Sequence, residues 1–173
     1  MTTAVRLGGS PRGEVTVMGG RMQVVFRRSY RATVNRVWAA LTTPERLADW
    51  FGDAQVDLRH SGSFRFNYPN GYSTEMKITR LEPPRALAWM WHLDGLDTSV
   101  LFELSPTAEG CDLTLTHSNV DPNGSGGGVR IGWHAHLEGL ADSLEGRATP
   151  WSVKEQRERE IAPQYEPMGT SNG

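Results

Sequence analysis

The spacing of apolar residues changes twice along this chain. Within residues 34–51 large apolar side chains recur at the spacing of a helix, and within residues 54–119 they occupy every second position. Trp133, Leu137, Leu140 and Leu144 then follow positions i, i+4, i+7 and i+11, which is one stripe of a long helix. A sheet must therefore be covered by a single long helix and two short ones.

The middle segment divides into about six short strands. Short turns such as Asn70-Gly71 connect consecutive strands, so neighbouring strands run antiparallel. A further strand is expected at residues 23–33, followed by short helices at residues 34–41 and from Pro44 to before Gly52. The predicted order is one strand, two short helices, about six strands and the long helix.

This order predicts an α+β fold in which a curved antiparallel sheet of about seven strands wraps around the long C-terminal helix. A twisted sheet of that width exceeds one helix and has to curl, which leaves space between the two. We therefore predict an apolar pocket. Its expected lining residues are Trp38, Phe66, Tyr72, Met76, Trp89, Trp91, Phe102, Leu115, His117, Trp133 and Leu137. The alternative is that the same large side chains fill a solid core.

Both ends of the chain differ from the part between them. Residues 1–22 are rich in glycine and are predicted as a flexible leader with one short strand at residues 14–18. Residues 23–146 form the predicted domain. Residues 147–173 are predicted as a loosely ordered tail with a short helix at residues 153–161.

Composition excludes several classes of protein. The net charge of −2, without a cluster of Lys and Arg, argues against binding of nucleic acid. Cys111 is the single cysteine, so no internal disulfide forms, and no apolar run approaches the length of a membrane span. We expect a cytoplasmic protein. The predicted edge strands allow a homodimer without indicating one.

Few residues suggest chemistry. His117 lies on the inward face of its strand, where it can contact a ligand oxygen, act as a general base or simply bind a backbone carbonyl in the core. His134 and His136 are two residues apart on a helix and point away from each other, so we predict no metal site and no cofactor. The glycine-rich segment 124–128 lacks the Lys-Ser/Thr of a phosphate loop, and we interpret it as a connector or a lid.

Five segments resemble one known family in the same order along the chain. They are residues 37–51 (VWAALTTPERLADWF), 61–66 (SGSFRF), 81–87 (LEPPRAL), 113–117 (LTLTH) and the Gly132-Trp133 step. Together they resemble the family related to the activator of heat-shock protein 90 ATPase, within the START and pollen-allergen-like (SRPBCC) superfamily. Ser61 stands where that family often has a second glycine, which affects only one turn.

The resemblance implies a helix-grip fold and a hydrophobic ligand between the sheet and the last helix. It leads us to expect binding of a lipid, polyketide or aromatic metabolite without catalysis. One alternative is a cyclase or hydrolase that uses the same pocket with His117 as base. Another is a co-chaperone that stimulates a chaperone ATPase, although residues 1–22 are short for the additional N-terminal domain of the co-chaperone that names the family.

Overall fold

One antiparallel sheet forms the larger part of the structure, a computed structural model that describes residues 11–165. Its strands are β1 (Glu14–Met18), β2 (Arg21–Tyr30), β3 (Asp53–Val56), β4 (Ser63–Asn67), β5 (Ser73–Glu82), β6 (Ala86–Leu93), β7 (Leu96–Pro106) and β8 (Cys111–Val120). They lie in the order β1-β2-β8-β7-β6-β5-β4-β3, with every neighbouring pair antiparallel. The sheet is open and curved, as the helix-grip prediction requires.

The register places the large apolar side chains on the concave face. Phe64 pairs with Met76, Trp89 with Val100, and Phe102 with Leu115. Directly paired residues point to the same side of a sheet, so these cross-strand pairs form one continuous apolar layer.

The sheet has eight strands where the sequence predicted about seven. The eighth strand is β1, at residues 14–18, where the sequence predicted a short strand within the leader, and it pairs with β2. Gly19 and Gly20 make the connecting turn, with φ of 58° and 71°. A tight hairpin that needs positive φ at both central residues favours glycine there. Residues 1–10 lie outside the described part of the chain.

Within residues 11–165 four α-helices accompany the sheet: α1 (Val34–Thr42), α2 (Pro44–Trp50), α3 (Gly126–Leu144) and α4 (Trp151–Ile161), which a short 3₁₀ helix (Ala162–Gln164) follows. The Thr33 hydroxyl accepts a hydrogen bond from the backbone N–H of Arg36 and so caps α1. The indole N–H of Trp50 donates to the Ala40 carbonyl at 2.8 Å, which fixes α2 against α1.

The start of α3 differs from the predicted connector, because Gly126, Gly127 and Gly128 already belong to the helix. The carboxylate of Asp94, in the β6–β7 turn, accepts from the backbone N–H of Ser125 at 2.8 Å and from its hydroxyl at 3.0 Å. A Cβ atom on Gly124 would lie 2.6 Å from this carboxylate. The glycine at position 124 therefore allows the hairpin to cap the long helix.

The tail helix α4 packs on α3 and begins at Trp151, two residues before the predicted start. Ile161 is its only buried residue, so polar contacts supply much of its attachment. Arg157 donates to Asp142 at 2.6 Å, and the Tyr165 hydroxyl is hydrogen bonded to His134 Nδ1 at 2.9 Å. Residues 166–173 lie outside the described part of the chain.

Among the described residues, no helix combines the length and the apolar character that crossing a membrane requires.

Candidate ligand-binding site

A cavity of about 300 Å³ lies where the end of β6 meets α3 and α4. Its walls are mainly apolar and aromatic, with a few polar groups on the helices. They are formed by Phe51, Trp91, Leu93, Ser125, Gly128, Val129, Gly132, Trp133, His136, Lys154 and Glu158. This combination of apolar walls and a few polar groups is typical of sites for small molecules.

Two glycines on α3 create much of this room. Gly128 and Gly132 are one helical turn apart on the face that lines the cavity. A Cβ atom on Gly128 would have no described atom within 4 Å, and one on Gly132 would meet only Glu158 Oε1 at 3.7 Å. Larger residues at either position would extend into the cavity.

His117 supports the wall from behind. The indole N–H of Trp133 donates to His117 Nδ1 at 3.0 Å, so the ring proton must be on Nε2, which lies 2.8 Å from the Thr98 hydroxyl. That hydroxyl in turn donates to the Trp91 carbonyl at 2.7 Å. Burial lowers the pKa of His117 to about 4. The ring is therefore neutral, and both of its nitrogens are occupied in holding Trp133.

His136 lies in the wall itself. Its ring stacks on Phe51 with centroids 4.5 Å apart, and Nδ1 lies 3.1 Å from the Trp50 carbonyl. A carbonyl can only accept, so Nδ1 carries the proton and Nε2 carries the lone pair. Burial, together with the positive charge of Lys154, lowers the pKa of His136 to about 3 and keeps it neutral.

Lys154 and Glu158 close the cavity from the α4 side. They are one turn apart, and Lys154 Nζ lies 2.9 Å from Glu158 Oε1. The same ammonium group lies 4.2 Å from the centre of the Trp151 ring. Lys154 and Phe51 also border a second cavity of about 370 Å³, which extends towards Tyr68 and Trp151. These two side chains thus separate two spaces beneath α4.

The eleven residues predicted to line a pocket fall into four groups. Trp91 and Trp133 line the cavity, and His117 lies directly behind them. Trp38 is half-buried on α1, while Tyr72 is 48% exposed and stacks on Tyr68. The remaining six are buried in the core: Phe66, Met76, Trp89, Phe102, Leu115 and Leu137.

The packing of Phe51 explains why those six do not enclose open space. Phe51 follows α2 directly and lies 4.5 Å from the Phe66 ring, 6.1 Å from Trp89 and 5.7 Å from Trp133, measured between centroids. This side chain fills the part of the space between the sheet and α3 where the sequence predicted a pocket. The solid-core alternative describes this half of the interior.

Several lining residues were not predicted from the sequence. Gly128 belonged to the segment interpreted as a connector, and His136 was considered only as half of a metal pair. Lys154 and Glu158 lie in the predicted tail, where their i, i+4 spacing with opposite charge was an available signal. What could not be read from the sequence is that the tail folds back onto α3.

Comparison with known proteins agrees with this architecture. Residues 31–145 match the family described as activator of Hsp90 ATPase homolog 1-like protein. The chain belongs to this family. The resemblance of the five sequence segments is thereby confirmed, and the matched region extends from the β2–α1 corner to the end of α3.

Solved structures of similar proteins share the fold of this chain. CalU16 from Micromonospora echinospora is 27% identical, with a TM-score of 0.66 over 94% of this chain and 98% of that one. MLL2253 from Mesorhizobium loti is 25% identical, with a TM-score of 0.67 over 71% of this chain and 96% of the other. DynU16, described as a putative protein in the dynemicin biosynthetic locus, is 29% identical, with a TM-score of 0.66 over 73% of this chain and 48% of that one. A search of curated proteins finds no match.

Proposed function

We propose that this protein binds a small, mainly apolar aromatic molecule in the cavity between β6, α3 and α4, and that it does so without catalysis. The observation that carries the proposal is the cavity of about 300 Å³ walled by Phe51, Trp91 and Trp133. Removing apolar surface from water at such walls contributes about 25 cal/mol per Å². A relative described by its place in a biosynthetic locus fits a small-molecule ligand.

The state of His117 favours binding over turnover. A general base needs a free lone pair within reach of the substrate proton. The lone pair of Nδ1 already accepts from Trp133, and the residue is fully buried. We therefore assign His117 to the support of Trp133. Loss of turnover of an aromatic substrate on His117→Gln, with ligand affinity retained, would contradict this assignment.

A variant that fills the cavity tests the proposal. In Gly132→Leu the new side chain extends into the cavity, and its Cβ meets only the flexible end of Glu158. We expect it to weaken binding of the neutral fluorescent probe N-phenyl-1-naphthylamine at least about tenfold, measured by fluorescence titration. The melting temperature should not fall, because leucine is a better helix former than glycine.

Gly127→Leu is the matched control. Gly127 lies in the same helix and has no described atom within 4 Å of an added Cβ, but it does not line the cavity. Its probe affinity should equal that of the wild type. Equal affinities for wild type, Gly132→Leu and Gly127→Leu would place the probe elsewhere and refute the site.

A further inference from the structure

His136 is a wall residue with an unused hydrogen-bond acceptor. The residue is 9% exposed, and its Nδ1–H donates a hydrogen bond to the Trp50 carbonyl. No described residue donates a hydrogen bond to Nε2. Since His136 lines the cavity, its Nε2 lone pair is available to a ligand that brings a proton donor.

Lys154 supplies the complementary group in the same cavity. An ammonium group has three N–H donors, and Glu158 accepts from it at 2.9 Å, which leaves donor capacity for a ligand oxygen. Lys154 on α4 and His136 on α3 line the same cavity. The wall thus offers a neutral acceptor beside a cationic donor.

A hydroxyl group satisfies both partners with one oxygen atom. Its proton can be donated to His136 Nε2 while its lone pairs accept from Lys154. An ether has no proton to donate, a carboxylate places a second acceptor against the lone pair of Nε2, and an aliphatic amine, which is protonated at neutral pH, brings positive charge towards Lys154. A phenol or enol suits the pair best, because its hydroxyl proton is acidic and makes a strong donor. The ring of a phenol also matches the aromatic walls.

Building on the binding function proposed above, we infer that the ligand is a hydroxylated aromatic or enolic molecule whose hydroxyl group lies between His136 Nε2 and Lys154 Nζ. His136 and Lys154 are then the residues that determine specificity, and the three aromatic walls hold the ring. The depressed pKa of His136 supports this arrangement, since the ring remains an acceptor throughout the neutral range.

Three naphthalenes of similar size test the inference in the wild-type protein. They are 2-naphthol, 2-methoxynaphthalene and 2-naphthoate, each measured by displacement of N-phenyl-1-naphthylamine at neutral pH. We expect 2-naphthol to bind about tenfold more tightly than each of the others. Equal affinity of 2-naphthol and 2-methoxynaphthalene would overturn the inference. Tightest binding of 2-naphthoate would also overturn it, because Lys154 would then act only as a charge.

Two variants locate the preference. In His136→Phe the ring and its stacking are kept but the acceptor is removed, and in Lys154→Met the chain length is kept without the ammonium group. The ratio of 2-naphthol to 2-methoxynaphthalene affinity should fall to about one in both variants. Lys77→Met, on the exposed face of β5, is the control and should keep the wild-type ratio. If His136→Phe does not fold, Lys154→Met decides, since Lys154 lies on α4, outside the packed core.

The two proposals fail in different ways. If the wild type does not bind N-phenyl-1-naphthylamine, the binding function itself is wrong. If the probe binds and Gly132→Leu abolishes its binding, but the three naphthalenes compete equally, the site stands and the hydroxyl preference falls.

Discussion

The interior between the sheet and α3 has two halves that are built differently. In one half, large side chains from β4, β6 and β7 meet Phe51 and close the space: Phe64, Phe66, Trp89 and Phe102 are at most 1% exposed. In the other half, beneath α4, α3 presents Gly128 and Gly132, and α4 presents charged residues. Open space therefore lies where α3 carries glycines and α4 is polar, whereas in the closed half the aromatic side chains of the sheet pack on Phe51 and fill the interior.

Trp133 forms the boundary between the halves. Its ring lies 5.8 Å from Phe102 on the closed side and 6.5 Å from Trp91 on the open side, measured between centroids. The hydrogen bond to His117 fixes the indole in this position. A buried polar network thus defines where the packed core ends and the cavity begins.

The largest expected effect comes from truncation in the closed half. Phe66→Ala removes a ring that is 0% exposed and packs on Phe51, so we expect the free energy of unfolding to fall by about 3–5 kcal/mol. Urea unfolding followed by far-UV circular dichroism measures the change.

Tyr72→Ala is the control from the same list of predicted lining residues. Tyr72 is 48% exposed, so its truncation should cost less than about 1 kcal/mol. Comparable losses in the two variants would show that the closed half is not the packed core described above.

A smaller effect is expected from acid. The pKa of His117 is lowered from 6.5 to about 4 in the folded protein, so the unfolded chain takes up the proton first as pH falls. The contribution to stability is complete above the unfolded pKa and is lost as pH falls towards the folded one. By linkage, His117 should lower the free energy of unfolding by about 2 kcal/mol between pH 7.5 and pH 5.

Urea unfolding at the two pH values measures this loss, and His117→Gln should remove about 2 kcal/mol of it. His60→Gln, which replaces an exposed histidine, is the control. Its free energy of unfolding should fall between the two pH values by as much as that of the wild type. An unchanged pH dependence in His117→Gln would mean that His117 is not held neutral.

The fold could be predicted from the sequence because it follows from spacing that is local along the chain. Alternation at residues such as Trp89 and Trp91, and the stripe from Trp133 to Leu144, determined element type and order. The sequence also predicts the short strand β1, at residues 14–18. The eighth strand changed the count without changing the layers.

The site was harder to predict because its shape depends on how separate elements fill the same space. Periodicity places Phe66 and Trp89 on the concave face correctly, but it does not show that Phe51 packs onto both of them. Gly132 has no side chain, so nothing in the sequence indicates that it lines a cavity. Lys154 reaches the cavity only because the tail returns to α3, a long-range contact that no local pattern encodes.

The smallest expected effect concerns the polar attachment of α4, which covers the open half. Asp142 accepts from Arg157 at 2.6 Å, from Arg147 at 2.8 Å and from Thr149 at 3.3 Å. Burial raises the pKa of Asp142, but the hydrogen bonds and charges of Arg157 and Arg147 outweigh it and lower the pKa. In Arg157→Ala one of these charged hydrogen bonds is lost, which should reduce the local stability of α4 by about 1–2 kcal/mol.

Amide hydrogen exchange measures this change as about tenfold faster exchange in residues 151–161, with the β6 and β7 amides unaffected. Arg59→Ala is the control, because the Arg59–Asp57 ion pair is exposed and lies far from α4. Added salt should also accelerate amide exchange in residues 151–161 of the wild type, since it screens these partly exposed charges. If Arg157→Ala accelerated exchange in the sheet as strongly as in α4, the two halves would unfold as one unit, and α4 could not open the cavity independently of the packed core.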